Sequence, residues 1–160
     1  MKIYLFGGCF NPPHIGHVEI VNRFINECDK LLIVPSNFSP NKNMNSEISV
    51  EHRMEMCRIT FLDISKKIVV SDIEMQLSIP SYTFNTVKWI LKKYPKSDLH
   101  IIIGEDQGQA LSSWYKINEL YKLAKFICIS RSNYILDRRY KIKYIDDFDY
   151  NISSTFIRKL

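Results

Sequence analysis

Residues 3–17 read IYLFGGCFNPPHIGH, and this stretch decides the fold. Ile3–Phe6 is apolar without alternation, the pattern of a strand covered on both faces. Gly7 and Gly8 break the run, and Pro12 and Pro13 stiffen the connection. Beyond them Val18, Val21, Ile25 and Cys28 recur three or four apart, as on one face of a helix. A buried strand, a glycine turn and a helix form the repeating unit of a parallel α/β sheet.

Working outward, the rest of the chain repeats that unit. Short runs rich in Ile, Val and Phe lie at Leu31–Val34, Ile68–Val70, Leu99–Ile103 and Phe126–Ile129, and a sixth strand is expected near Ile142–Ile145. Val50, Met54, Cys57 and Phe61 are spaced as on a helix and come after Ser49, a residue suited to an N-cap. Phe84, Val87, Leu91 and Tyr94 repeat the spacing after Pro80-Ser81, and a further helix is expected from Ser113 to Lys122. Pro35–Ser49 reads as a long polar loop. The expectation is an α/β protein: one domain over residues 1–160, with a Rossmann-like, doubly wound, mostly parallel sheet and helices on both faces. A length of 160 residues suits a single core.

Composition narrows the function classes. With 46% hydrophobic and 24% charged residues the chain is not disordered, collagenous or a coiled coil. No apolar run approaches the roughly 20 residues that span a bilayer, and the start lacks the features of a signal peptide. A cytoplasmic protein without a membrane partner is expected. A formal charge of +5 and a pI near 9.0 suit an anionic partner without naming it. The four cysteines have neither metal-site nor redox spacing; Cys28, Cys57 and Cys128 read as core residues, and Cys9 stands apart because of its neighbours.

The glycines gather in two places, Gly7, Gly8 and Gly16 in one and Gly104 and Gly108 in the other, and each group begins where an expected strand ends. Open parallel sheets bind ligands outside the carboxyl ends of their strands. Lys42, in SPNKN, and Arg131 also come after strands. His14 and His17 are three apart at a helix start, where unpaired N–H groups and the dipole favour phosphate. The plainer reading is a tight turn with two satisfied histidines. In NISSTFIRKL, Ser153, Ser154 and Thr155 can open a helix with Arg158 a turn later, either a second anion site or a cap and then a solvated arginine. Asp106 lies just past a strand, and Trp114 can stack on a flat ring or fill the core. The patterns GxxxxGK[ST] and GxGxxG are both missing, which removes support from P-loop and dehydrogenase readings.

GGCFNPPHIGH resembles the HxGH signature of the nucleotidyltransferase superfamily that includes class I aminoacyl-tRNA synthetases, and NISSTFIR resembles its ISSTxxR motif. The full order, with SYTFNT, GEDQGQALSSW and ISR between them, resembles the nicotinate-nucleotide adenylyltransferase family. The resemblance implies the transfer of AMP from ATP to nicotinate mononucleotide, giving nicotinate adenine dinucleotide and pyrophosphate on the way to NAD. It implies that Gly7, Gly8, Cys9, Phe10, His14 and His17 hold ATP, with Ile152, Ser153 and Arg158 opposite and Gly104 and Asp106 near the adenosine. It places Thr83, Trp114 and Tyr115 on the nicotinate and its carboxylate, and Lys42 and Arg131 on the mononucleotide. His17, His14, Lys42 and Arg158 would carry the catalysis. Mg²⁺ would enter with ATP, with no dedicated metal site. The implied partners are ATP and a pyridine mononucleotide, with no nucleic acid; self-association is left open.

Four residues depart from the family pattern: Asn41 for a His, Asn85 for an Asp, Asn11 for an Asp, and Cys9 for a Thr or Ser. Members commonly continue past ISSTxxR with a Gly-Lys-Ser segment and a closing helix, and the sequence here ends at Leu160. The rival readings are pantetheine-phosphate adenylyltransferase, and an RNA-binding module suggested by the literal HIGH and the basic pI. The chemistry needs no catalytic nucleophile. A phosphate monoester is mostly dianionic at neutral pH, so positioning and fixed donors supply the rate.

Overall fold

All six expected strands form: β1 (Lys2–Gly8), β2 (Lys30–Pro35), β3 (Ile68–Val70), β4 (Asp98–Gly104), β5 (Lys125–Ile129) and β6 (Ile142–Ile145). In the computed structural model, which describes residues 1–37, 48–77, 80–130, 140–148, 150 and 152–160, they lie in the order β3-β2-β1-β4-β5-β6. Every neighbouring pair is parallel, with Phe6 of β1 opposite Ile33 of β2 and Ile102 of β4. The helices are α1 (Ile15–Phe24), α2 (Val50–Phe61), α3 (Ile73–Gln76), α4 (Thr83–Lys93), α5 (Glu105–Gln109), α6 (Ile117–Leu123) and α7 (Ser154–Arg158).

The unalternating apolar runs are explained by two cores, one on each face of the sheet. Ile3, Leu5, Leu32, Val34, Ile101 and Ile103 pack with Val87 and Ile90 of α4. The residues between them, Tyr4, Phe6, Leu31, Ile33 and Ile102, pack with Val21 and Phe24 of α1 and Cys57 and Phe61 of α2. Each such side chain contributes about 1.5–3 kcal/mol by leaving water. Cys28, Cys57 and Cys128 are core residues as expected, and burial pushes the Cys57 thiol up to about 12 and the Cys128 thiol up to about 11. Ser49 caps α2, accepting the His52 N–H at 3.2 Å. No helix among the described residues is long and apolar enough to cross a membrane.

One helix starts later than the spacing suggests. The stretch expected to be helical from Ser113 is a 3₁₀ turn over Leu111–Ser113, and α6 begins at Ile117. The Ser113 hydroxyl donates to the Ala110 carbonyl at 2.6 Å, and Lys116 takes a left-handed φ of 53°, so the chain cannot run on as one helix.

From β1 the chain moves outward through β2 to β3, then returns to lay β4 on the other side of β1. The carboxyl ends of β1 and β4 therefore part at the point where strand order reverses. Loops leaving them in opposite directions open a crevice there.

Candidate active site

β1 delivers Gly7 and Gly8 to that crevice, and α1 starts beside them. His14 is the N-cap: its Nδ1 accepts the Gly16 N–H at 3.1 Å, and the His14 N–H donates to His17 Nδ1 at 3.1 Å. This is a capping box made of two imidazoles, with rings stacked at 3.7 Å and 29°. With both Nδ1 atoms accepting, each neutral ring carries its proton on Nε2. Gly16 is required by the same device, because a Cβ there would lie 2.9 Å from His14 Cε1 and 3.0 Å from Nδ1.

The loop between strand and helix is pinned from behind. Phe10 has a left-handed φ of 50°, which costs a bulky residue about 1–2 kcal/mol. Its ring is 2% exposed and sits edge-on to Phe6, His17 and Phe61 at 5.4, 4.9 and 5.9 Å, and that burial offsets the backbone cost. The Cys9 carbonyl accepts from Arg53 Nη1 at 2.9 Å.

The C-terminal segment closes the other side. Ser153 caps α7 by accepting the Phe156 N–H at 3.1 Å. The Ser154 hydroxyl donates to the Pro12 carbonyl at 2.7 Å, and Arg158 Nη1 donates to the Asn11 carbonyl at 2.5 Å. The two ends of the chain thus wall one cleft of about 780 Å³. Gly7, Gly8, Cys9, Phe10, His14 and His17 line it from the head, Gly104 and Asp106 from β4 and α5, and Ile152, Ser153 and Arg158 from the tail. A Cβ on Gly104 would meet nothing within 4 Å, so the absent side chain there leaves open space.

Behind this cleft lies a pocket of only about 40 Å³. It shares Gly7, Ile102, Ile103 and Gln107 with the large cleft, and Glu74, Thr83, Thr86 and Trp114 complete its polar and aromatic wall. Trp114 Nε1 is buried with no hydrogen-bond partner among the described residues. Glu74 is 9% exposed; Thr86 Oγ1 donates to its Oε1 at 3.1 Å, while Oε2 makes no hydrogen bond of normal geometry among the described residues. Burial pushes the Glu74 carboxyl above its ordinary value, against a smaller pull downward from the Ser81 and Thr86 hydroxyls and the Asn37 backbone N–H.

A family model described as cytidylyltransferase-like matches residues 5–160. The chain is 33% identical over 160 residues to a nicotinate-nucleotide adenylyltransferase of Bacillus subtilis, covering 99% of this chain and 84% of the relative. It is 37% identical over 160 residues to a probable nicotinate-nucleotide adenylyltransferase of Aliarcobacter butzleri, covering 99% of this chain and 86% of the relative. The chain belongs to the cytidylyltransferase-like family, among its nicotinate-nucleotide adenylyltransferases. Solved structures share the fold. The Plasmodium falciparum nicotinic acid mononucleotide adenylyltransferase complexed with NaAD aligns with a TM-score of 0.79 at 22% identity, covering 99% of this chain and 82% of that one. A putative nicotinate-nucleotide adenylyltransferase of Vibrio parahaemolyticus gives 0.74 at 23%, covering 99% and 86%.

The sequence-predicted residues divide by place. Those expected around ATP meet in the large cleft. Thr83 and Trp114 meet in the small pocket, but Tyr115 stands apart from both cavities, stacked on Tyr82 at 4.4 Å and 27°. Lys42 and Arg131 lie outside the described residues. The motif reading did not single out Arg53 or Glu74. Arg53 had a signal, a charge on the inner face of α2 between Val50 and Cys57. Glu74 had little, since α3 is a single turn.

Proposed function

We propose that the large cleft binds ATP, that the small pocket opens to take the nicotinate ring, and that AMP passes between them to nicotinate mononucleotide. The observation that carries this reading is the tie between the two ends of the chain, Ser154 to Pro12 and Arg158 to Asn11, around one cleft at the switch point of the sheet.

An oxygen of the mononucleotide phosphate attacks the α-phosphorus of ATP. One P–O bond forms, the bond to the β-phosphate bridge breaks, and pyrophosphate leaves with the electron pair. The attacking phosphate is already anionic, so no side chain has to remove a proton from it. The task is to hold two polyanions in line and to meet the charge that builds on the transferring and leaving groups. His14 and His17, with Nδ1 committed to the helix cap, turn proton-bearing Nε2 atoms to that task. Arg158 holds the Asn11 carbonyl and adds positive charge at the cleft wall. The open space above Gly104 suits the adenosine.

Among the described residues no three His, Cys, Asp or Glu are grouped to hold a metal, and Asp106 is the carboxylate on the cleft wall. This donor set fits Mg²⁺ carried on the triphosphate, which keeps most of its waters and neutralises phosphate charge. Asp106 is the side chain such an ion would meet.

The test is pyrophosphate release with ATP and one of three acceptors: nicotinate mononucleotide, nicotinamide mononucleotide or phosphopantetheine. Turnover fastest with nicotinate mononucleotide is expected. Turnover with phosphopantetheine alone, or with none of the three, overturns the reading.

A further inference from the structure

The inner face of α2 carries a charge in the core. Met54, Cys57 and Phe61 are buried there as expected, and Arg53 beside them is 2% exposed. Among the described residues no carboxylate lies within ion-pair distance of it. Its Nη1 donates to the Cys9 carbonyl at 2.9 Å, and its Nε has no hydrogen-bond partner among the described residues. A guanidinium buried without an anion is costly, and an apolar side chain would fill the space more cheaply. Packing alone therefore gives no reason for an arginine at this place.

The reason lies in the peptide it holds. The Cys9–Phe10 peptide is trans, so its C=O and N–H point opposite ways. Cys9 and Phe10 line the cleft, whereas Arg53 lies behind them and is not part of the wall. Drawing the Cys9 carbonyl back toward Arg53 turns the Phe10 N–H forward into the cleft. The left-handed φ of Phe10 and the burial of its ring hold the peptide in that setting.

We infer that Arg53 is a positioning residue of the phosphate cradle: from behind the loop it fixes the Cys9 carbonyl, presents the Phe10 N–H to the triphosphate, and adds a buried positive charge beneath the anion. The inference rests on the reading that this cleft binds ATP. Bound phosphate would then offset a charge that no carboxylate among the described residues compensates.

Arg53→Met and Arg53→Lys test this, with calorimetric binding of inorganic tripolyphosphate, steady-state kinetics and thermal melting measured on each. Arg53→Met should bind tripolyphosphate roughly 10- to 100-fold more weakly, the scale of one N–H donor to phosphate that is no longer held in place together with one buried charge removed from beneath the anion. It should raise KM for ATP and lower kcat, with little change in KM for the mononucleotide. Its melting temperature should stay level or rise, because a buried charge has given way to an apolar chain. Arg53→Lys, which keeps a charge and a donor, should fall between the two, and decides the matter if Arg53→Met does not fold. A folded Arg53→Met that binds tripolyphosphate like the parent overturns the inference. So does a loss of binding in both variants that only tracks their loss of melting temperature. A parent protein that binds neither ATP nor tripolyphosphate removes the ATP reading itself, which separates the two failures.

Discussion

The two cavities differ in how finished they are. The large cleft, about 780 Å³, is walled by groups that hold one another: two imidazoles capping a helix, a buried aromatic under the loop, and tail side chains bonded to head carbonyls. The pocket behind it, about 40 Å³, holds little more than a few waters and leaves Trp114 Nε1 without a hydrogen-bond partner, and Glu74 Oε2 without one of normal geometry, among the described residues. A buried polar group without a partner costs about 1–3 kcal/mol. Under the proposed assignment of ATP to the large cleft and the nicotinate ring to the small pocket, the difference teaches that the first half of the site is assembled in advance, while the second would have to rearrange to admit a ring and would gain by satisfying its buried polar groups.

The largest expected break is on the finished side. His17→Ala should lower turnover about 10²- to 10³-fold, as lost oxyanion donors do, with a smaller loss of ATP binding. Near-parental kcat in pyrophosphate release would remove His17 from the chemistry. Gly16→Ala comes next: its Cβ would sit 2.9 Å from the His14 ring, so the cap must give way. About 1 kcal/mol of stability should go with it, read by urea unfolding, together with a rise in KM for ATP. Intact stability and KM would mean that the paired rings are not rigid.

On the unfinished side Trp114→Ala should raise KM for the mononucleotide about tenfold, the scale of one lost stacking contact, and change KM for ATP little. Equal effects on both substrates would erase the division between the cavities. The smallest effect is a pH dependence. Because burial holds the folded-state pKa of Glu74 above its ordinary 4.5, the native chain binds more protons than the unfolded one, and stability falls as pH rises past that value. Glu74→Gln removes the titration. Its urea midpoint should match the parent in acid and exceed it at neutral pH, and the reverse order would show that Glu74 is held as a carboxylate.

The sheet was legible because strands buried on both faces leave apolar runs, and each of the five runs became a strand; β6, with Lys143 and Tyr144 exposed, carries no such run and formed where a sixth strand was expected. The start of α6 was not, because apolar spacing does not register the left-handed Lys116 that separates it from the turn before. At the site, the residues that line the large cleft lie in contiguous motifs, so their meeting in one place could be read from the sequence. Arg53 acts on Cys9 across 44 positions of sequence, and Glu74 accepts from Thr86 across 12. Partnerships of that kind are set by how elements pack, which local spacing does not encode. Tyr115 is the reverse case: it adjoins Trp114 in the motif, yet its ring is turned to Tyr82.

The bonds that seal the cleft join residues 142 and 147 positions apart. Contacts of such separation form only after the chain between them exists. During synthesis β1 through β5 can pair while the polypeptide is still being extended, yet the cleft stays open on one side until residues past Ile152 have left the ribosome's exit tunnel. A chain stalled earlier would be folded across much of its sheet and would still lack the tail wall of the cleft proposed to hold ATP.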